Sequence, residues 1–512
     1  MKRRSLLRSL GVLTFIAGGF GWPSGRMKAA TDATRSRQRV RPSDPEWPTA
    51  ASWVKLNQDV GGHLIEPQSL FRACTAEPNG SACLEAHKNR GNHFWLGDQP
   101  AGTQVSGWLD AWTPTPSAYA IKARNAADVS AGVNFARENN LRLVVKGAGH
   151  RYLGTSNAPD SLLIWTRAMS EVTLHGREPD LFWAIKGGGG GTFGVITRVT
   201  LRTHDLPAFL GASSGKIKAQ SDTAFVELIT HFLSFYREQL LNPHWGEQVS
   251  VWPDNTLQIS MVSQGLSNEQ VVAVWEPFFK WVNASPSKYV VTSPLTSGAW
   301  GSRSWWNVTA NPSMTRDTRS GAPKDHGWWQ GDQDQVGVLL HGLESLWLPA
   351  ELLQKNEEKR LAHALFAASR HKRVQLHINK GLAGAPPDAL AAVSQTATNP
   401  AVATAFALAI IADGEAPAYP GLSRTALDLT AARHDARAID LATAELRKIA
   451  PNAGSYVSES NYFNRSWQEE YWGKNYPRLR SIKAKYDPLG LFFVHHGVGS
   501  DDWSADGFTR LA

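Results

Sequence analysis

The most chemically suggestive stretch of this 512-residue chain is Lys146-Gly147-Ala148-Gly149-His150-Arg151, with Gly154 and Ser156 just beyond it. Small residues at this spacing let the backbone turn sharply and bring several N–H groups up to an anion such as a diphosphate. A histidine at the tip of such a loop faces whatever the loop grips. The competing reading is a plain Gly-rich turn between a strand and a helix. A second cluster is the run of five glycines from Gly187 to Gly191, more than a helix C-cap and loop require. A third is Val374 to Lys380, where alternation sets Gln375, His377 and Asn379 on one face and Val374, Leu376 and Ile378 on the other. That polar face either meets water or lines a site. Paired aromatics, Trp305-Trp306 with Trp300 and then Trp328-Trp329, would suit either a sugar or aromatic pocket or a packed core.

The elements around the first loop can be read from period and punctuation. Leu141 to Val145 is a short apolar run, a buried strand leading into the loop. Before it, Tyr119 to Lys122 reads as a strand and Asn125 as the cap of a helix running to Glu138. Strand, crossover helix and strand imply a parallel pair in an α/β unit, joined by a third strand at Ser161–Trp165. Asp180 to Lys186 predicts a helix, and Phe193 to Leu201 a strand after the five glycines. Gln248–Trp252 and Thr256–Val262 predict a hairpin turning at Pro253-Asp254-Asn255. Glu351–Ala368 and Asp428–Ile449 predict helices covering that antiparallel sheet. The adjacent pair His495-His496 would send its rings to opposite faces of a strand, poor geometry for a shared metal.

Composition excludes several classes. The length allows two or three domains, and 42% apolar residues with 21 tryptophans argue against disorder. The net charge of +8 is confined to the start. Residues 1–41 carry ten Lys/Arg against Asp32, leaving the remainder almost neutral, with no general field for nucleic acid. Lys2-Arg3-Arg4-Ser5-Leu6-Leu7-Arg8 precedes an apolar run too short to span a bilayer, the pattern of a twin-arginine export signal. This predicts an exported protein, periplasmic or secreted, with a signal over 1–30, a mobile linker over 31–50, and no membrane anchor once matured. In an oxidising compartment Cys74 and Cys83 are expected to form a disulfide, unpaired buried thiols being the alternative. No set of side chains has the spacing of a metal site.

The loop Lys146-Gly147-Ala148-Gly149-His150-Arg151-Tyr152-Leu153-Gly154-Thr155-Ser156 resembles the flavin loop of the berberine bridge enzyme-like flavoproteins of the vanillyl-alcohol oxidase superfamily. That loop has the form R/K-x-G-G-H-x-Y-x-G-x-S, from which this chain departs by one alanine. The segment from Ser455 to Pro488 is similar to the same family's C-terminal signature. The resemblance implies an α+β fold: a PCMH-type FAD-binding domain over 51–207 and 455–512, and a substrate domain over 208–454. It implies FAD held by Lys146, Gly147, Ala148, Gly149, His150, Arg151, Gly154, Ser156, Gly194, Val195, Asn461 and Asn475, with His150 able to bond covalently to the ring. It implies an oxidoreductase in which FAD takes a hydride from a hydroxyl-bearing, aromatic or sugar-like small molecule and passes electrons to O2 or another acceptor. Tyr462, with Tyr456 as second choice, would be the catalytic base, and Gln375, His377, Asn379 and Lys380 would face the substrate. A free tyrosine, with a pKa of about 10, is a poor base at neutral pH, so a cation must stand beside it. Lys380 and Arg151 are the candidates. One departure is large: relatives place several tens of residues, with a second Gly-rich flavin loop, between the matches to His175 and Asp180. The rival reading is therefore a flavin-poor secreted protein that binds a saccharide or aromatic on the same fold.

Overall fold

The computed structural model describes residues 38–169, 179–199, 201, 203–378, 380–422 and 427–511. The export signal, Asn379 and the 170–178 stretch lie outside these.

Two sheets organise the chain. The smaller has the order Leu64–Ile65, Tyr119–Lys122, Ser161–Trp165, Arg142–Lys146, the last three parallel and the first antiparallel. The side chain of Asn125 accepts from the amides of Ala127 and Asp128, starting the crossover helix Ala126–Glu138 where expected. All five residues of Ser161–Trp165 are buried, as a central parallel strand requires. Helix Ala50–Asp59 packs beneath this sheet, its Trp53 stacked on Tyr119 at 4.0 Å between ring centroids.

The stretch 31–50, read as a mobile linker, is corrected from Gln38 onward. Val40 bridges to Leu141, Gln38 bridges to Thr509, and Arg39 is 4% exposed. Backbone pairing and cation burial, absent from a composition-based view, anchor it. The C-terminal segment closes the same layer, Phe492 bridging to Leu143 in parallel.

The larger sheet has eight strands, in the order 107–108, 339–349, 405–415, 374–378, 245–251, 256–264, 209–219 and 289–301. The hairpin turns at Asn255, whose φ is 66°. On one face, helices Asp222–Phe235, Asn268–Asn283, Glu358–His371 and Leu429–Arg447 bury a core that includes Phe225, Phe232, Trp275, Phe278 and Phe406. Each such side chain contributes roughly 2–3 kcal/mol by leaving water. The helix expected from Glu351 instead begins at Glu358, after a 3₁₀ turn over Ala350–Leu353. On the other face, strands 339–349 and 405–415 meet the Gly-rich loop through a second cluster of Trp108, Leu153, Leu343, Trp347, Leu408 and Ile410.

Phe193 to Leu201 is not a strand: its described residues are irregular and pair with nothing. Ile196 is 57% and Leu201 74% exposed, beside Phe182 at 57% on helix Pro179–Ile185. A lone strand cannot satisfy its backbone, and no neighbouring strand is there to pair with it. His495 and His496 also differ from expectation. They lie in a turn, with φ of 54° at His496, and their rings stack 3.9 Å apart.

Gly154 is held at φ 69°, and a Cβ there would lie 2.5 Å from the Trp112 ring. Gly154→Ala is expected to cost about 2 kcal/mol or more, from the left-handed backbone and the overlap together. Urea unfolding measures this, and an unchanged midpoint would refute it.

Candidate active site

The Gly-rich loop leaves the carboxyl end of strand Arg142–Lys146, the end at which parallel α/β sheets take their ligands. Lys146 does not join it in facing a ligand. Its Nζ, on a side chain 3% exposed, donates to the carbonyls of Gln99 and Gly102, each at 3.0 Å, and to that of Pro100. With its three protons so engaged, Lys146 anchors the 99–102 turn beneath the loop. Gly147 accepts from Trp165 Nε1 at 3.2 Å, which fixes the loop's entry. From Gly147 to Ser156, none of the loop amides donates to another group among the described residues.

His150 stands at the tip, exposed, with Nδ1 against Oε1 of Gln104. The surrounding chain and the Arg167 charge nonetheless hold its ring below the usual imidazole range. A ring that solvent reaches, yet that is partly desolvated, sits on the wall of a cleft.

Arg151 turns the other way. Its Nε is buried without a partner, and desolvation lowers its affinity for the proton, with Tyr471 and Tyr456 pulling in the opposite sense. A Cβ on Gly190 would lie 4.0 Å from Arg151 Nη1, so the guanidinium abuts the five-glycine run. There φ is positive at Gly187, Gly189 and Gly191, the alternation that gathers successive N–H groups into an anion-binding nest. The amides of Gly189, Gly190 and Gly191 have no acceptor among the described residues, and Thr192 Oγ1 is buried without a partner. Trp472 Nε1 holds the nest in place by donating to the Gly187 carbonyl at 2.8 Å.

A flavin dinucleotide fits these residues. Two glycine loops with unused amides lie beside a half-buried guanidinium that makes no ion pair among the described residues, the donor set a diphosphate takes up. The five-glycine nest was conspicuous in the sequence, but only its proximity to Arg151 gives it a role. Gln104 and Tyr471 carried no sequence signal.

The other expected ligands divide. Ser156 is buried at the loop's end, and Gly194 has open space around it. Val195 packs into the apolar core under the small sheet instead. Asn461 is a turn residue: Oδ1 accepts from the Phe463 amide at 2.8 Å and Nδ2 donates to Glu344 at 2.7 Å. Asn475 donates to the Thr398 carbonyl at 2.9 Å. Both are occupied in holding the C-terminal segment and are not available to a cofactor.

That segment brings two tyrosines to the loop. The Tyr456 amide donates to Ser345 Oγ at 3.0 Å, and its ring meets Trp347 edge-on at 6.1 Å. Lys380 Nζ lies 5.8 Å from the Tyr456 ring centroid and pairs with Glu459 at 3.1 Å. Tyr462 is stacked flat on His495 at 3.9 Å and is pushed above the usual phenol range by burial. On strand Val374–Ile378, Gln375 receives a hydrogen bond from Arg373 at 3.3 Å and donates to Gln248 at 3.2 Å. His377 Nδ1 is buried without a partner, and burial with Lys380 and Arg373 nearby takes its pKa down to about 4. It is a neutral imidazole at pH 7. Among the paired tryptophans, Trp305 meets Trp329 edge-on at 5.4 Å, and Trp328 lies 5.5 Å from His93.

Behind the edge strand, the Glu344 carboxyl is pushed up to about 7, chiefly by burial, against the hydrogen bond from Asn461. Between the usual value of 4.5 and about 7 the folded chain therefore holds a proton that the unfolded chain releases. Stability is expected to fall as pH rises through that window. Glu344→Gln should remove roughly 2–3 kcal/mol of this dependence. Unfolding midpoints of parent and variant from pH 4 to 8 check it; parallel curves would show that Glu344 does not titrate there.

Cys74 and Cys83 form the expected disulfide. His87 lies near both sulfurs, but neither sulfur is a thiolate able to ligate a metal.

Comparison with known proteins agrees with this geometry. Residues 439–499 match the family model "Berberine and berberine like". An FAD-linked oxidoreductase of Arthroderma benhamiae is 23% identical over 613 aligned positions, covering 95% of this chain and 97% of the relative. A bifunctional decalin synthase of Penicillium decumbens is 25% identical, covering 92% of this chain and 95% of its own length. Among solved structures, a VAO-type flavoprotein of Myceliophthora thermophila superposes with a TM-score of 0.70 at 20% identity, over 92% of this chain and 100% of its own. A carbohydrate oxidase of Microdochium nivale gives 0.55 at 16% identity, over 84% and 99%. The fold is that of the VAO-type flavoproteins. Along most of its length the chain is similar to FAD-linked oxidoreductases, and over residues 439–499 to the berberine-like family model.

Proposed function

We propose that this protein binds FAD between its two glycine loops and oxidises a small hydroxyl-bearing molecule, with Tyr456 as the base. One observation carries the reading: a half-buried Arg151, its Nε buried without a partner, set between unused loop amides and a pair of tyrosines. Bound FAD supplies the acceptor for a hydride. The chain supplies the rest. Tyr456, with Lys380 over its ring and that lysine paired with Glu459, is the phenol placed to take the substrate's hydroxyl proton. Neutral His377 and Gln375 offer hydrogen bonds to the other oxygens of a polar substrate, as does the half-buried Gln248. Tyr462, clamped on His495, is better placed to shape the wall than to move a proton.

His150 is the residue available for a covalent bond to the flavin. In protein precipitated with acid, yellow colour retained by the parent and lost in His150→Ala supports the tether. Export through the twin-arginine route is part of the same reading, because that route carries folded proteins and the disulfide suits an oxidising compartment. No described helix is long and apolar enough to cross a membrane.

The exposed apolar residues Phe182, Ile185, Ile196, Val199, Leu201 and Leu206 favour the rival reading, since surface that the domain would otherwise cover stands open. An absorption spectrum decides. Flavin bands near one per chain support the oxidoreductase. Protein that is colourless after incubation with excess FAD would leave a binding protein on this fold.

A further inference from the structure

A second cluster of cations, mixed with carboxylates, lies at the C-terminal end of the chain. A pocket of about 390 Å³ opens between helix Tyr476–Tyr486 and the end of the chain, lined among others by Arg480, Lys483, Asp487, Asp502, Trp503 and Arg510. Arg39 stands directly behind its wall. Its guanidinium lies 4.1 Å from the Trp503 ring centroid, and Nη2 donates to the Gly490 carbonyl at 2.5 Å. The side chain is 4% exposed, and Nη1 has no partner. Arg510 Nε is likewise buried and unpartnered.

The balance of buried charge here is uneven. Arg39, Arg142 and Lys483 are all buried, at 4%, 5% and 3% exposure, against a single buried carboxylate, Asp487. Lys483 uses that carboxylate at 2.7 Å. Arg142 donates to the carbonyls of Leu143, Phe493 and Asp506 and lies 4.6 Å from the Phe493 ring centroid. Of the partly exposed acids, Asp502 pairs with Arg480 at 2.5 Å and Asp506 with Arg41 at 2.8 Å. Burial takes Arg39 down to about 10, and burial with the Arg39 charge takes Arg142 down to about 9. Asp487 and Asp506 offset part of the buried charge on Arg39, and Asp506 part of that on Arg142. Arg39 Nη1 and Arg510 Nε nonetheless keep no hydrogen-bond partner, and unpaired buried donors beside an open pocket are costly unless an anion meets them.

We infer that this pocket binds a small oxyanion of the phosphate class, gripped by Arg510 and Arg480 and held in the field of Arg39 behind Trp503. The volume exceeds that of a lone phosphate, and the indole gives a flat apolar wall, so a phosphate monoester carrying a ring fits as well as the free ion. Lys483 on the pocket wall also donates to the Thr192 carbonyl, the residue after the five-glycine run, but the inference does not depend on the flavin reading.

The test uses purified full-length protein, with and without saturating FAD, dialysed to equilibrium against radiolabelled inorganic phosphate at ionic strength held constant with chloride. One saturable phosphate per chain is expected in both states, with Arg510→Gln weakening it at least tenfold and leaving flavin content unchanged. Adenosine monophosphate competing more tightly than inorganic phosphate would identify the monoester as the preferred source, and equal competition the free ion. Absence of saturable uptake by the parent protein would overturn the inference. So would uptake unchanged in Arg510→Gln, or uptake abolished by FAD, which would assign the bound anion to the flavin's own diphosphate site.

Discussion

Tyr456→Phe is expected to lower kcat for a hydroxyl-bearing substrate by roughly 10²–10⁴-fold while leaving KM within a few-fold, the loss typical of removing a positioned base. The substitution keeps the ring that meets Trp347 and removes only the oxygen. Flavin content should therefore stay at the parent level, and the loss should appear in the rate of flavin bleaching under anaerobic mixing with substrate. Tyr462→Phe is the internal control. Its ring would still stack on His495, and its carbonyl, which faces His495 Nε2 at 2.8 Å, belongs to the backbone. A change of less than about threefold is expected there. If Tyr462→Phe proved the dead variant and Tyr456→Phe the active one, the roles assigned from the positions of Lys380 and Arg151 would be reversed.

Arg151→Met is expected to reduce flavin per chain in purified protein to below about a tenth of the parent value. A guanidinium can form charge-assisted hydrogen bonds to a phosphate, each contributing roughly 1.5–3 kcal/mol. Losing two such bonds weakens binding by about a hundredfold or more. The apoprotein itself should not suffer, because the variant replaces a desolvated, unpartnered cation by an apolar chain of similar length. An unfolding midpoint at or above that of the parent apoprotein, together with lost flavin, distinguishes a ligand-holding arginine from a structural one. Full flavin content in Arg151→Met would remove the observation on which the proposed function stands.

Much of the architecture is legible from local pattern. Asn125 is a helix cap by its side-chain chemistry, and Ser161–Trp165, buried along its whole length, reads as a parallel strand because both its faces are covered. The alternation of Val374 to Ile378 assigns its two faces correctly, Val374, Leu376 and Ile378 to the core and Gln375 and His377 outward. The same logic fails at Phe193 to Leu201. Its residues have strand character, but a strand exists only where a neighbour accepts its hydrogen bonds. It fails also at Lys146, which belongs to the loop motif and yet spends its charge on three carbonyls beneath the loop. Asn461 and Asn475 are lost to the site for the same reason: a side-chain amide serves whichever partner the packed chain brings near it.

By itself, then, the order of residues determined where the glycine loops fall, many of the helices and strands though not Phe193–Leu201, which faces are apolar, and that two cysteines nine positions apart can close on each other. Those properties depend on neighbours within a few residues. Only the tertiary structure decided that Arg151 reaches the five-glycine nest, that Tyr456 rather than Tyr462 has cations beside it, and that Arg39 is buried at the far end of the chain behind Trp503. Each of these joins segments tens to hundreds of residues apart. Electrostatic environment depends on distance in space, which no local pattern records.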